Sequence, residues 1–468
     1  MHHDREQCDA LIQLTAPWRP PLRLPTPPRC RGHFPWSLAA VLALGLALAL
    51  PCAVLAKTFH CGAGAVACLA AAITAANANG QANTIRLQPG TYTLTAPIDS
   101  TNSLPSITSQ LTITGHGPET TILERDPSAP NFRLLQVAAP GSLTVTQMTL
   151  RGGRPSGPGA AIVNFGGTLS LAHMVLVSNF ADGGAIVNFG GRVTIAHSTL
   201  ATNGGAHDSG GLENTAVGTV TITGTTFVHN GADGAGAIRN LGTMEVSAST
   251  FLENHGLGSG FGGAIFNAGT LDVVNTTFAR NALSTIFLTD GTAIYNAGVL
   301  FLASCTLADH TGQDRFSGIR GSAVFSTPGA TTLLHNTILA RNTSEPGLQD
   351  CGGMVISLGH NLIGDPTGCT IALLPSDRTG DPRLGPFMDN GRPGHGHYPL
   401  LPTSLAVDAG DDAACPRTDQ LGRPRVGPCD IGAIRFRAKD RHPHNQIEEP
   451  EDAPLDDALL AAARPTVR

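Results

Sequence analysis

The chain has 468 residues, enough for a large core, yet only 14% are charged and 5% aromatic, against 56 Gly and 33 Pro. That balance argues against an ordinary α/β enzyme, because β-branched residues suit pleated strands and Gly supplies the positive φ of tight corners. A formal net charge of −6 without a concentrated basic tract leaves no nucleic-acid footprint.

Residues 1–56 read as an N-terminal extension and signal peptide. A Pro/Arg-rich stretch, with Arg29, Arg31 and His33, precedes the apolar run WSLAAVLALGLALALPCAVLA at 36–56, which ends on the small residues of a cleavage site. The mature chain is then expected to start near Lys57, outside the cytoplasm: secreted, periplasmic or at a bacterial cell surface. A membrane anchor is the alternative for a run of this length. Pro51 and the small residues at its end favour cleavage. Membrane contact is expected only through this segment or an unidentified anchor.

Residues 57–110 read as an N-terminal cap. Leu69, Ile73 and Ala76 have helical spacing, and two strand-like pieces, TIRL and TYTL, flank Pro89-Gly90. Residues 111–345 are organised by a repeat. Segments of the type Gly-Gly-Ala-Ile-x-Asn end at Asn164, Asn188, Asn214, Asn240, Asn267 and Asn296, at intervals of 24, 26, 26, 27 and 29 residues. A second series ends at Asn179, Asn203, Asn230, Asn254 and Asn281, and a third element of the type Gly-Thr-Leu-x-Val follows each residue of the first. Each unit therefore holds three short runs of period 2, too short for helices and unable to close a core alone. Stacking at about 4.8 Å per coil would bury them. Leucine-rich repeats would need L-x-x-L-x-L, which is missing, and a propeller a fourth strand. The expected fold is all-β: a right-handed parallel β-helix solenoid, pectin-lyase-like, with a short helical cap and a Cys-containing C-terminal module.

Residues 346–436 form that module, richer in Pro, Asp and Arg, and 437–468 a disordered acidic tail. Seven cysteines follow the signal. In an oxidising compartment the local pairs Cys61–Cys68, Cys351–Cys369 and Cys415–Cys429 read as staples, leaving Cys305 as a buried thiol.

The segment CLAAAITAANANGQANTIRLQPGTYTLT resembles the N-terminal module of bacterial exported proteins named for the string CSLREA, here reading Cys68-Leu69-Ala70-Ala71-Ala72-Ile73. The GGAIxN and FxxN repeats are similar to those of polymorphic outer-membrane proteins. The stretch GHNLIGDPTGC…DPRLGPFMDNG…LLPTSLAVDAGD…TDQLGRPR…CDIGAI resembles the choice-of-anchor module, although no sorting motif follows Ile434. Together the resemblances cover roughly 66–436 and imply a surface or secreted architecture. They imply no catalytic residues.

Chemistry is harder to find. Gly115-His116-Gly117 and Gly394-His395-Gly396 have the Gly-His-Gly form seen in pectin-cleaving hydrolases, but neither has paired carboxylates at a useful spacing before it. There is no G-x-S-x-G elbow and no phosphate loop. The sequence therefore favours a non-catalytic protein binding extracellular polysaccharide or other cell-surface material. A polysaccharide lyase or glycoside hydrolase is the alternative. The ladder asparagines are read as structural, since a corner amide satisfies turn backbone. The candidate ligand or cation site is a column of aspartates, Asp182, Asp208 and Asp233, which precede their ladder asparagines by 6, 6 and 7 residues, with Asp290 in the same place further on. Glu213 and His207 are its neighbours. No cofactor is required, and no metal is established; calcium would suit such oxygen ligands, and Asp-Gly turn chemistry is the plainer reading.

Overall fold

The computed structural model describes residues 56–258, 261–285, 291–314, 323–344 and 347–437. The signal segment through Leu55, Asp290 and the acidic tail lie outside the described residues.

The strands form a right-handed parallel β-helix. One coil runs through Leu212–Asn214, Thr219–Thr223, Thr226–Val228 and Gly231–Ala232; the next through Ile238–Asn240, Thr243–Ser247, Thr250–Leu252 and His255–Gly258. Each strand pairs in parallel with its equivalent, Asn214 beside Asn240 and Val220 beside Met244. Three sheets result, and the period-2 pattern fixes which residues enter the core. Thus Leu169, Val193, Val220, Met244, Leu271 and Leu300 stack in one interior column. Phe227, Phe251 and Phe278 form another, with ring centroids 4.9 and 4.6 Å apart.

The asparagines form two hydrogen-bonded ladders, all but fully buried. In the first, each Nδ2 donates to the Oδ1 of the next: Asn164 to Asn188 at 2.9 Å, through Asn214 and Asn240, to Asn267 and Asn296 at 2.8 Å. Each also donates to turn carbonyls, as Asn267 does to Gly269 and Val299. The column starts abruptly. Val137 occupies the position before Asn164, whose Oδ1 is left without a donor. The second ladder runs Asn179, Asn203, Asn230, Asn254 and Asn281, each Oδ1 also accepting a backbone N–H from the coil before. His310 then takes an asparagine's place. Its Nδ1 accepts from the Asn281 N–H, while the buried Nε2 has no partner, and burial pushes the imidazole down to about 3. Asn342 resumes the series and donates to Asp350, which burial pushes up to about 6.

Parallel pairing extends beyond the repeats at both ends. Thr58–Cys61 pairs with Asn83–Leu87, and Leu362–Ile363 with Arg378–Thr379. The helix Val66–Asn79 lies against the first coil, burying Leu69, Ala72, Ile73 and Ala76, and ends on Gly80 in the left-handed region. Its Asn77 donates to Ser106 and accepts from Thr108, so the AANAN string anchors the cap. The three local disulfides form as expected and Cys305 is free and buried.

Residues 380–436 return along the outside of the coils as a strap. Leu384, Tyr398, Leu400, Ala406 and Ile431 cover a column of small apolar side chains that includes Val228, Leu252, Ala279, Ala308 and Ala340. Buried Gln420 is the central peg. It accepts from Thr277 and donates to Thr250 and to the carbonyls of Gly394 and Gly396. Beside the strap, corner residues at positive φ pair acidic with basic or imidazole side chains from coil to coil. His229 and Arg280 flank Glu253, and Asp309 pairs with Arg341. Arg280 and Arg341 then sit over the rings of Phe387 and Tyr398.

Candidate functional site

In Gly-Gly-Ala-Ile-x-Asn, Ile and Asn point inward, so the intervening x points out of the second sheet. Down the coils this outward column reads Val163, Val187, Glu213, Arg239, Phe266, Tyr295, Phe325 and Gly352. Apolar, acidic, basic and aromatic blocks follow one another at the coil spacing of about 4.8 Å.

The charged block is tightly built. Arg239 Nη1 donates to Glu213 Oε1 at 2.6 Å and lies 3.4 Å from Asp208 Oδ1, and its guanidinium sits 5.9 Å from the centroid of Phe266. Glu213 is buried because the Asp182-Gly183 turn lies over it. Gly183 has φ +74°, and a Cβ there would come within 2.6 Å of both Glu213 Oε2 and Val187 Cγ2. Only glycine fits. Burial, then the neighbouring Asp208, raise the Glu213 carboxyl above the usual range, and Arg239 partly opposes them.

A recess of about 320 Å³ opens beside this block, lined by His207, Asp208, Asp233, Arg239, Phe261 and Phe266. Phe261 packs at 6.0 Å from Phe266 and 4.8 Å from Tyr295. Phe266 stacks on Tyr295 at 5.7 Å, and Tyr295 lies 5.5 Å from Phe325. Beyond Phe325 the column drops to Gly352, and a second recess of about 650 Å³ opens there, lined among others by Pro328, Gln349, Met354 and Thr370. Two recesses joined by an aromatic ridge thus lie along one face.

The aspartates do not form the regular column expected of them. Asp182 and Asp208 are equivalent, each four residues before a paired strand start. The bridge from Ser209 to Ala235 sets Asp208 beside Gly234 and His207 beside Asp233, so Asp233 is displaced by one position. The register holds unbroken from this bridge to Asn240, so the count of 7 rather than 6 before the asparagine is the displacement itself. Asp208 and Asp233 share the recess; Asp182 does not line it. Asp290 lies outside the described residues. Among the described residues, no three His, Cys, Asp or Glu side chains converge as metal ligands.

The two Gly-His-Gly motifs serve packing. A Cβ on Gly115 would meet the Gln147 carbonyl oxygen at 2.3 Å, and one on Gly394 the Ala248 carbonyl oxygen at 2.5 Å. The Gly394 N–H donates to Thr226 and Thr250 donates to Gly396, so this motif docks the strap. Sequence reading reached Asp208, Glu213 and His207 but missed Arg239, Phe261, Phe266, Tyr295 and Phe325. For Arg239, Phe266, Tyr295 and Phe325 the available signal was the identity of x in each repeat.

No family model matches the chain. No curated protein matches it either. Among solved structures it is similar to a pectate lyase, with TM-score 0.37 and 12% identity over 81% of this chain and 96% of that one. It is also similar to the A-module of a mannuronan C-5 epimerase from Azotobacter vinelandii, with TM-score 0.33 and 14% identity over 68% and 88%. The catalytic domain of a GH87 α-1,3-glucanase has TM-score 0.33 and 12% identity over 64% of each chain.

Proposed function

We propose that this chain is an exported, non-catalytic β-helix protein that holds an extended glycan along the outward column of its second sheet. The observation that carries the reading is the aromatic ridge Phe266–Tyr295–Phe325 joining two recesses, with Arg239, Asp208 and Asp233 at one end. Sugar rings present apolar C–H faces and a rim of hydroxyls, so they suit aromatic steps spaced along an axis and flanked by hydrogen-bonding groups. The polymer and the solenoid are both one-dimensional repeats, which lets neighbouring sugars meet neighbouring coils. The three disulfides support an oxidising, extracytoplasmic setting.

One observation favours catalysis as a second reading. Asp208 and Glu213 approach the same guanidinium nitrogen, and burial holds the Glu213 carboxyl above its usual range, as suits a general acid. Against it, Glu213 is bonded to Arg239 through Oε1, its Oε2 faces the Gly183 turn, and the side chain does not line the recess. Affinity electrophoresis of the mature chain through gels containing individual polysaccharides tests binding. Assay of the same polymers for new reducing ends and unsaturated products tests turnover. Retardation without product supports the proposal; product formation lost in Glu213→Gln would establish the hydrolytic or eliminative reading instead.

A further inference from the structure

The charge of the first recess goes further than the glycan-binding reading on which it rests, because it selects among glycans. Two carboxylates, Asp208 and Asp233, line the recess and a third, Glu213, is bonded to Arg239, whose guanidinium and the His207 imidazole are the other titratable groups there. That guanidinium is already committed. It bonds Glu213 at 2.6 Å, approaches Asp208 at 3.4 Å and lies against Phe266. An incoming uronate carboxylate would therefore find no unpaired guanidinium, only the exposed His207 imidazole, and would face Asp208 and Asp233 across the recess. Like charges so placed are costly and act against the wrong ligand. Asp233, by contrast, is exposed at the rim and makes no hydrogen bond or ion pair among the described residues. An ammonium group on a sugar seated against Phe261 and Phe266 would complete the pairing that Asp233 and the outer oxygen of Asp208 leave open.

We infer that this recess recognises protonated amino sugars, so that the ligand is a polymer containing unacetylated hexosamine rather than a polyuronate. The aromatic ridge supplies ring contacts common to all glycans, and Asp208 with Asp233 supplies the selection.

Titration calorimetry of the mature chain at low salt, with three oligosaccharides of matched length, tests this. The probes are an oligomer of glucosamine, one of N-acetylglucosamine and one of galacturonate. The glucosamine oligomer should bind at least about tenfold more tightly than its acetylated counterpart, a difference of about 1.4 kcal/mol. Its advantage should shrink as salt is raised. The double variant Asp208→Asn/Asp233→Asn should bring the two within about threefold, roughly 0.6 kcal/mol. Asp272→Asn removes an equivalent exposed charge from the first sheet, away from this face, and should leave the preference intact. An equal loss in Asp272→Asn would reduce the preference to bulk charge and overturn the inference. Tighter binding of the N-acetylated or galacturonate oligomer would overturn it too, while leaving glycan binding standing. If none of the three binds, the glycan-binding reading falls with it. Unchanged melting of each variant confirms that the face, not the fold, was altered.

Discussion

Two columns descend the same strands of the second sheet, one residue apart. Asn214, Asn240, Asn267 and Asn296 form the inner one, alike from coil to coil, fully buried and bonded to one another. Glu213, Arg239, Phe266 and Tyr295 form the outer one, and no two are the same. Inside, a coil continues the ladder only by presenting the donor and acceptor that its neighbour presents in turn, so asparagine recurs until the column ends at Val137 and Ser326. Outside, no such matching is imposed: Glu213 is covered by a turn and bonded to Arg239, while Phe266 and Tyr295 are partly exposed, and the sequence is free to vary. In a solenoid the interior specifies stacking and the variable outward residues specify recognition.

The largest effect expected from breaking the interior is at Phe251, sandwiched between Phe227 and Phe278. Phe251→Ala should cost about 3–5 kcal/mol, read as a lowered denaturant midpoint. A cost below about 1 kcal/mol would mean that the coils close over the gap without needing the ring stack. Asn267→Ala should come next, at about 1–3 kcal/mol, because it strands the acceptors on Asn296, Gly269 and Val299. An unchanged melting point would contradict the structural role of the ladder.

His310 sharpens the comparison, since it is an inward position that departs from the rule. The folded imidazole resists protonation down to about 3, whereas in the unfolded chain it protonates near 6.5. The unfolded state then binds more protons, and stability is lost as pH falls from about 6.5 toward 3. Asp350 works oppositely. Held up to about 6 in the folded chain, it destabilises the fold above the ordinary aspartate range, so its contribution improves as pH falls through about 6 to 4. His310→Asn would restore the amide series between Asn281 and Asn342. It should raise stability by about 1–2 kcal/mol at neutral pH by removing the orphaned Nε2, and by more at pH 5. Thermal melts of the two proteins across pH 4–8 would show whether the gap widens with acid. A gap independent of pH would rule out protonation of His310 as its source.

Much of the fold was legible because it repeats. The spacing of Asn164 through Asn296 gave coil length and strand positions, and the cysteine intervals gave the staples. The strap was not, because its contacts join residues more than a hundred positions apart through single polar groups, as Gln420 reaches Thr250 and Thr277. Nor does the last part of the ladder show in the sequence. Asp350 stands in for an asparagine only eight residues after Asn342 and breaks the period. The site was half legible. Asp208 and Glu213 stood out as acids near the repeat, while Arg239 and the aromatics were hidden in the position where a repeat search expects variation. Asp233 was misplaced by one residue because a count of 7 before Asn240 was read as equivalent to 6, although the register between the two coils is unbroken.

The division of labour between the two columns is tested most directly by adjacent residues of one strand. Binding of the best-retained polysaccharide should be measured for Phe266→Ala and Asn267→Ala, alongside their melting points. Phe266→Ala should weaken binding about tenfold or more, with stability changed by less than about 1 kcal/mol. Asn267→Ala should melt earlier yet bind normally wherever it remains folded. Normal binding by Phe266→Ala, or loss of binding by a folded Asn267→Ala, would contradict the assignment of recognition to the outer column.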